Sequence, residues 1–518
     1  MRVDTLFYNG NFYISRGMKK PVHWLAVSDG RVVSYGEGRA RGLMAKRKIN
    51  LDYKRVMPGW IDAHAHLYNL GMRTFEIDLS RCESKMALLH ILKRRLHHLK
   101  SQYRNPDWIE AYGLNTNQWQ VEPAVDLLDQ VSSSVPIVVR RVDEHAIWVN
   151  SAALELARIG HETADPKGGK IVRDERGRIT GALLDKAMER VLDQRPLPPE
   201  KTLEEAFGRA QASLLKRGIT SVHDMSMRRL PLEALSLSMR RDRFKCRVYA
   251  ALYGKDTWEA YPAPTTSMFE NRLQIRAKKI FMDGALGSRG AWLSHPYQDA
   301  PGWQGISFYN RDELLAMVQD ALRRRFQLVF HTMGDQASRS VLETIASRYR
   351  PIDLRSRRFR FEHLEVIDPR IFSMMKRFGI VASVQPWHVL SDSPWLLSRI
   401  GKERSDLVLP LKMMMRAKLH LCGGSDAPID NYNPLAGIFA AVTRSPLSQR
   451  ILLEDAVQKY TEGAAYAEFS EHLKGTLERG RLAEFCVLSE DIFSIESSRF
   501  SQVKNLMTVV GGEVLYEA

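Results

Sequence analysis

The chain has 518 residues, 44% of them hydrophobic and 26% charged, with 76 Lys and Arg against 60 Asp and Glu for a formal net charge of +16. A chain of this length and mixture buries a large core unaided, which excludes intrinsic disorder, a collagen-like repeat and a small disulfide scaffold. The basic excess sits in short clusters such as Lys93-Arg94-Arg95, Arg323-Arg324-Arg325 and Arg355 to Arg360, on polar faces of expected helices. With no RRM, KH, homeodomain or zinc-finger spacing beside it, this charge reads as a solvated surface, not a nucleic-acid interface.

From the N-terminus, Met1-Arg2-Val3-Asp4 lacks the pattern of a signal peptide. Residues 4–56 alternate β-rich runs (Thr5 to Tyr8, Trp24 to Val27, Val32 to Tyr35) with the turns Asn9-Gly10, Asp29-Gly30 and Gly36-Glu37-Gly38. The last 45 or so residues share that texture, from Ala483 to Leu488 and from Thr508 to Tyr516. A β-sandwich built from residues 1–56 and 475–518 is therefore expected, since chain ends often lie close together.

Between them, residues 57–474 alternate apolar strands with helices such as Asp312 to Arg325 and Ala337 to Tyr349. The predicted strands are Val135 to Val139, Ser221 to His223, Arg247 to Leu252, Ile275 to Phe281, Gln327 to His331, Arg358 to Glu362, Ile380 to Val384 and Leu419 to Leu421. That rhythm implies βα units, a parallel sheet and, economically, a (β/α)8 barrel. The stretch 70–205 is long for one crossover, and Trp108, Trp119 and Trp148 with the Gly168-Gly169 turn suggest a subdomain inserted over the barrel mouth. Cys82, Cys246, Cys422 and Cys486 form no CxxC pair, and no apolar run approaches membrane-spanning length. Both point to a soluble protein of a reducing, cytoplasmic compartment.

The chemistry-bearing residues fall at the predicted strand ends. His64 and His66 are two apart in an extended segment, so they face one side together and can hold one ion. Lys279 shares a face with Phe281 and Asp283, whereas Lys278 is aimed at the outer helices. A lysine pointing into a barrel is costly unless paired or modified; carbamylated, it becomes an anion able to bridge two cations. His331, His363 and Asp426 close three further strands. In such a barrel all strand C-termini converge on one face.

Together, His64-x-His66, Lys279, His331, His363 and Asp426 resemble the amidohydrolase superfamily of metal-dependent hydrolases. The flanking segments are similar to its YtcJ-type branch, related to N-substituted formamide deformylase. They include Pro58 to His64, Gly218 to Asp224, Asp283 to Arg289, His331 to Ala337, Gln385-Pro386-Trp387-His388, Gly424 to Pro428 and Gly475 to Ala483. The resemblance spans nearly the whole chain and implies a TIM-like barrel, a sandwich made from both termini, and hydrolysis by a metal-activated hydroxide. It further implies one ion on His64, His66 and Asp426 and a second on His331 and His363, bridged by carbamylated Lys279. Zinc is the default metal. Glu484 departs from the family's usual aspartate, at the sandwich end of the chain, and Cys422 reads as packing.

By the same analogy Asp426 takes the proton of the water and returns it to the leaving nitrogen. An oxyanion donor is also needed, for which His145, His223 and His388 are candidates that read equally as structural hydrogen bonders. Asp283 and Arg289 are candidates for orienting substrate, or else cap a glycine-rich loop. The expected activity is hydrolysis of an amide or N-formyl C–N bond, with deamination and ester hydrolysis as alternatives on the same fold and a non-catalytic binding module as the alternative of another class. The inserted tryptophans suit an aromatic or apolar leaving group, or are simply the insert's core. The expected partners are a small-molecule substrate and a second copy in a homodimer, with neither nucleic acid nor membrane.

Overall fold

The computed structural model describes residues 1–18, 20–102, 108–115 and 124–518. Both chain ends are β-rich and pair with each other. Arg2–Tyr8, Trp24–Ser28, Arg31–Gly36 and Met44–Asn50 form a four-stranded sheet. Asn11–Phe12 and Arg55–Pro58 join Phe485–Leu488, Asn505–Val510 and Glu513–Glu517 in a five-stranded one. The alternating apolar residues of the two sheets meet in one core, where Phe7 stands edge-on to Phe485 at 4.8 Å beside Val27, Val56 and Val509.

Among the described residues, eight parallel strands form the central sheet. They are β1 (Trp60–Ala65), β2 (Ile219–Met227), β3 (Arg247–Leu252), β4 (Leu273–Phe281), β5 (Gln327–Thr332), β6 (Arg360–His363), β7 (Val381–Val384) and β8 (His420–Gly423). Each pairs with the next in sequence. The turn after β8 then meets β1: the Ser425 and Asp426 amides donate to the His64 carbonyl, and the His66 amide to that of Ala427. This closes the barrel. Its strands read as near-continuous apolar runs because helices cover them outside. In Arg311–Arg324, Leu314, Val318 and Ala321 form the inward stripe, and a capping box of Asn310 with Glu313 fixes its start.

Among the described residues, a separate six-stranded sheet runs in the order Gly169–Arg173, Ile179–Asp185, Ala146–Val149, Ile137–Arg141, Ile109–Leu114, Ile77–Asp78. Helix Lys85–Gln102 packs Leu88, Leu92 and Leu96 against it. The predicted strand at Val135 to Val139 thus belongs to the insert, and β1 supplies the eighth barrel strand. Trp148 and Trp108 pack into the insert's own cores, away from the cavity described below; Trp119 lies outside the described residues.

Candidate metal centre

The C-terminal ends of the barrel strands open on a cavity of about 470 Å³ lined by His64, His66, Lys279, His331, His363 and Asp426. Because His64 and His66 alternate along β1, both rings turn the same way. Their Nε2 atoms lie 3.4 and 3.0 Å from Asp426 Oδ1. Each ring is fixed from behind: His64 Nδ1 is 2.6 Å from Glu362 Oε2, and His66 Nδ1 is 2.6 Å from Ser226 Oγ. A ring anchored at its far nitrogen presents the near one in a single orientation, as metal-binding imidazoles do.

Asp426 reaches this position through a left-handed residue, φ 62°, in the turn after β8. Burial opposes its ionisation, yet the imidazoles of His64 and His66 more than offset that and hold the carboxyl well below the usual carboxylate range. Burial drives the His64, His331 and His363 imidazoles well below their ordinary value, toward the neutral form that ligates. His363 is itself left-handed, φ 73°, at the end of β6.

The ligand atoms of His64, His66 and Asp426 all lie within 4.8 Å of one another. His64 Nε2 and Asp426 Oδ1 are buried with no hydrogen-bond partner. Two imidazoles and a carboxylate with free lone pairs aimed at one point fit a divalent ion. Lys279 Nζ is likewise buried and without a hydrogen-bond partner, 4.9 Å from the centre of the Phe281 ring, and burial pulls the amine down to about 8. Lys278 points the opposite way, to Asp320 at 2.9 Å.

Beneath the ligands the barrel is filled by a buried charged network. Arg360, fully enclosed, donates to Glu362 at 2.8 and 3.2 Å, to Ser383 Oγ at 3.0 Å and to the Ala63 carbonyl at 2.7 Å, and its guanidinium lies 2.9 Å from His223 Nδ1. His223 Nε2 faces Glu468 at 3.5 Å, and Glu468 pairs with Lys474 at 2.6 Å. His223 therefore lies in the barrel floor and does not line the cavity, in the position of a structural hydrogen bonder.

Two other expected site residues, Asp283 and Arg289, also lie outside the cavity lining. Asp283 is fully buried and accepts from the amides of Trp292, Met333 and Gly334 at 2.8–3.0 Å, with Oδ1 3.4 Å from His331 Nδ1. Burial raises its carboxyl to about 7. It clips two loops and stands behind His331, the loop-capping role that the sequence also offered. Arg289 leaves the cavity wall to pair with Asp299 at 3.0 and 3.1 Å. His388 does not line the cavity but stands beside two residues that do: its ligand atom lies within 4.8 Å of those of His363 and Asp426, and its ring is parallel to that of His363 at 6.2 Å. His145, by contrast, comes over from the inserted sheet to line the cavity, 5.3 Å from the His331 ring. Its Nδ1 is 2.7 Å from Asp185 Oδ1; burial alone would lower the imidazole, but this carboxylate outweighs it and the pKa is raised.

The residues that sequence reasoning missed are the partners: Glu362, Arg360, Ser226 and Asp185. Asp224 is another, accepting from the Leu67 and Ser226 amides at 2.8 and 3.0 Å and so fixing the turns that carry His66 and Ser226. The readable sign of Arg360 and Glu362 is their i, i+2 spacing in an otherwise apolar strand, which puts two charges inside the barrel together.

Comparison with known proteins agrees with this geometry. The YtcJ protein of Bacillus subtilis, assigned as an amidohydrolase, is 32% identical over 489 residues, covering 91% of this chain and 90% of its own. The N-substituted formamide deformylase of Arthrobacter pascens is 24% identical, covering 99% and 98%. A crystal structure of an uncharacterized metal-dependent hydrolase from Pyrococcus horikoshii superposes with a TM-score of 0.77 at 27% identity, over 95% of this chain and 99% of that one. Residues 47–516 match the Amidohydrolase family, and the chain belongs to that family.

Proposed function

We propose that the chain is a metal-dependent hydrolase of a C–N bond of the amide or N-formyl type. The observation that carries this reading is the convergence of His64 Nε2, His66 Nε2 and Asp426 Oδ1 on one point in the cavity, each imidazole backed by its own partner. The similarity to a formamide deformylase supports the bond type. When bound, a divalent ion supplies Lewis acidity and lowers the pKa of water from 15.7 towards about 7. The chain's own residues supply the rest. Asp426, held ionised, accepts the proton of the attacking water and returns it to the departing nitrogen. His145, fixed by Asp185, binds the substrate's carbonyl oxygen from the insert side of the cavity. Phe281 and Tyr253, in edge contact at 5.2 Å, offer an apolar wall to the substituent.

The finer parts of the reading are zinc as the ion, carbamylation of Lys279, residence in the cytoplasm and a homodimer. The Lys279 amine is enclosed and unpartnered, and burial favours its neutral form, which is the form that takes up carbon dioxide. Four buried, unbridged cysteines suit a reducing compartment. Among the described residues, no helix is long and apolar enough to cross a membrane.

The test is turnover of a panel of amides and N-formyl compounds by protein stripped with a chelator and then reloaded with zinc in the presence of bicarbonate. Hydrolysis should vanish on stripping and return on reloading. Turnover that survives complete removal of metal would overturn the reading, and loaded protein that cleaves only esters or aminoheterocycles would reassign the bond.

A further inference from the structure

The basic run Arg355 to Arg360, a solvated face by sequence, divides in the structure. Arg360 is enclosed in the barrel, and Arg358 is engaged by Glu471 at 2.5 and 3.0 Å. Arg355 instead lines a small cleft where β7 and β8 begin, at the opposite end of these strands from the metal centre. Lys376, Lys418 and His420 line the same cleft, together with Gly379 and the Tyr466 ring, and no carboxylate lines it. Among the described residues, the side chains of Arg355, Lys376 and Lys418 have no hydrogen-bond or ion-pair partner. The cleft encloses about 90 Å³, well above the roughly 10–15 Å³ that one water needs.

Local structure brings these cations together. Helix Phe372–Phe378 ends at Gly379, left-handed at φ 67°, where a Cβ would stand 2.8 Å from the Arg355 carbonyl oxygen and 2.9 Å from its Cγ. The missing side chain lets Arg355 lie against the helix end that carries Lys376. Lys418, left-handed at φ 58°, turns the chain from helix Leu411–Arg416 into β8, whose first residue is His420. The His420 ring stacks on Tyr466 at 4.2 Å, and burial, then the charges of Arg358, Lys459 and Arg355, lower its imidazole. A cation beside a helix C-terminus is favourable, but each such end offers only about half a unit of negative charge. Two helix ends thus balance about one of the three cations and leave about two positive charges unmatched.

We propose that this cleft binds a phosphate group, with Arg355, Lys376 and Lys418 as its cationic partners and His420 as a further N–H donor. A guanidinium presents paired donors to two phosphate oxygens, and each ammonium adds a point charge. A phosphate group carries about −1.5 to −2 at neutral pH, which matches the unmatched charge, whereas a carboxylate carries half as much. The shared chemistry is that of inorganic phosphate and of the phosphate end of a small phosphomonoester. The site is independent of the hydrolase reading, because no residue of the metal centre lines it.

The experiment is calorimetric titration of the protein with inorganic phosphate and with phenyl phosphate at low ionic strength, for the wild type, K376Q/K418Q and K93Q/R94Q. The last variant removes the same two charges from exposed positions of helix Lys85–Gln102, so it reports the effect of net charge alone. The wild type should bind phosphate saturably, K376Q/K418Q about tenfold more weakly or worse, and K93Q/R94Q like the wild type. The ratio of the two ligands tells free phosphate from a phosphomonoester, and either preference supports the site. An anomalous map of wild-type crystals soaked in arsenate should place the ion in the cleft, a readout that needs no variant. Unchanged affinity in K376Q/K418Q puts the anion elsewhere, the metal centre included, and overturns the inference. Equal weakening in both variants, no saturable binding, or arsenate found only outside the cleft overturns it as well.

Discussion

Removing the carboxylate of Glu362 separates two jobs that the structure gives it. Its Oε2 anchors His64 Nδ1 at 2.6 Å, and both oxygens receive Arg360, at 2.8 and 3.2 Å, with no solvent access to either residue. In E362A the His64 ring loses its anchor, and loss of such a partner typically weakens metal binding 10–100-fold, or about 1.4–2.8 kcal/mol. At the same time Arg360 keeps only Ser383, His223 and the Ala63 carbonyl, so a buried charge is left without its counter-ion at a cost of about 3–5 kcal/mol. The R360M/E362L pair removes both charges in favour of apolar groups, an exchange that is often neutral or stabilising by about 1–4 kcal/mol. The double variant should therefore recover the urea midpoint but not the zinc affinity, measured by competition with a chromophoric chelator. A double variant within twofold of wild-type affinity would refute the argument that Glu362 orients His64.

D426N keeps the shape of the side chain but not its charge; turnover should fall by about 10²–10⁴-fold and bound metal should drop with it, measured by steady-state kinetics and elemental analysis. G424A should destabilise by about 1–3 kcal/mol or more and loosen the ligands together, because a Cβ there would lie 2.4 Å from the His64 nitrogen; the urea midpoint and zinc affinity read this in one preparation. Glu468 gives the pH dependence. Burial would raise its carboxyl, but Lys474 and His223 outweigh burial and lower it from 4.5 to about 2. A depressed pKa means the stabilisation is complete above about pH 4.5 and is lost as the pH falls toward 2. It is worth up to about 3 kcal/mol. E468Q should be less stable than wild type at neutral pH and lose less on acidification, and equal acid limbs in urea titrations at about pH 3 and 7 would contradict this.

What the sequence made readable depended on whether position along a strand fixes direction. His64 and His66 were legible because alternation alone turns them to one side, and Lys279 was separated from Lys278 by the same rule. The rule fails at β6. Glu362 and His363 are neighbours, so alternation sends them to opposite faces, yet both reach the site because His363 adopts φ 73° and redirects its own side chain. Asp283 and Arg289 stayed open between two readings for a related reason: a loop rich in glycine reads alike whether it binds substrate or is clipped to its neighbours, and the clipping amides of Met333 and Gly334 lie some fifty residues away. Likewise Ile137–Arg141 has the apolar texture of any central strand, and its assignment to the insert depends on pairing with Ile109–Leu114 and Ala146–Val149, which no local pattern encodes.

The proposed ligands also straddle the seam where the barrel closes. His64 stands on β1, His66 directly after it and Asp426 on the turn after β8, the first and last strands of the ring, more than 350 residues apart. The seam is held by the same residues that shape the site. The Ser425 and Asp426 amides donate to the His64 carbonyl, and Asp62 accepts from the Ser425 amide at 2.9 Å, from its hydroxyl, and from the His64 amide at 3.2 Å. Burial raises the Asp62 carboxyl to about 6, yet these donors surround it. An ion on His64, His66 and Asp426 would thus tie the two edges of the barrel across its last joint. Whatever opens that joint moves the ligands apart, and whatever binds the ligands holds the joint shut, so metal affinity and barrel closure are thermodynamically linked. The linkage has a direct consequence: zinc should protect the His64, Ser425 and Asp426 amides from hydrogen exchange more than those of β4 and β5, on the opposite side of the ring, and uniform protection around the barrel would argue that the seam closes without help from the ion.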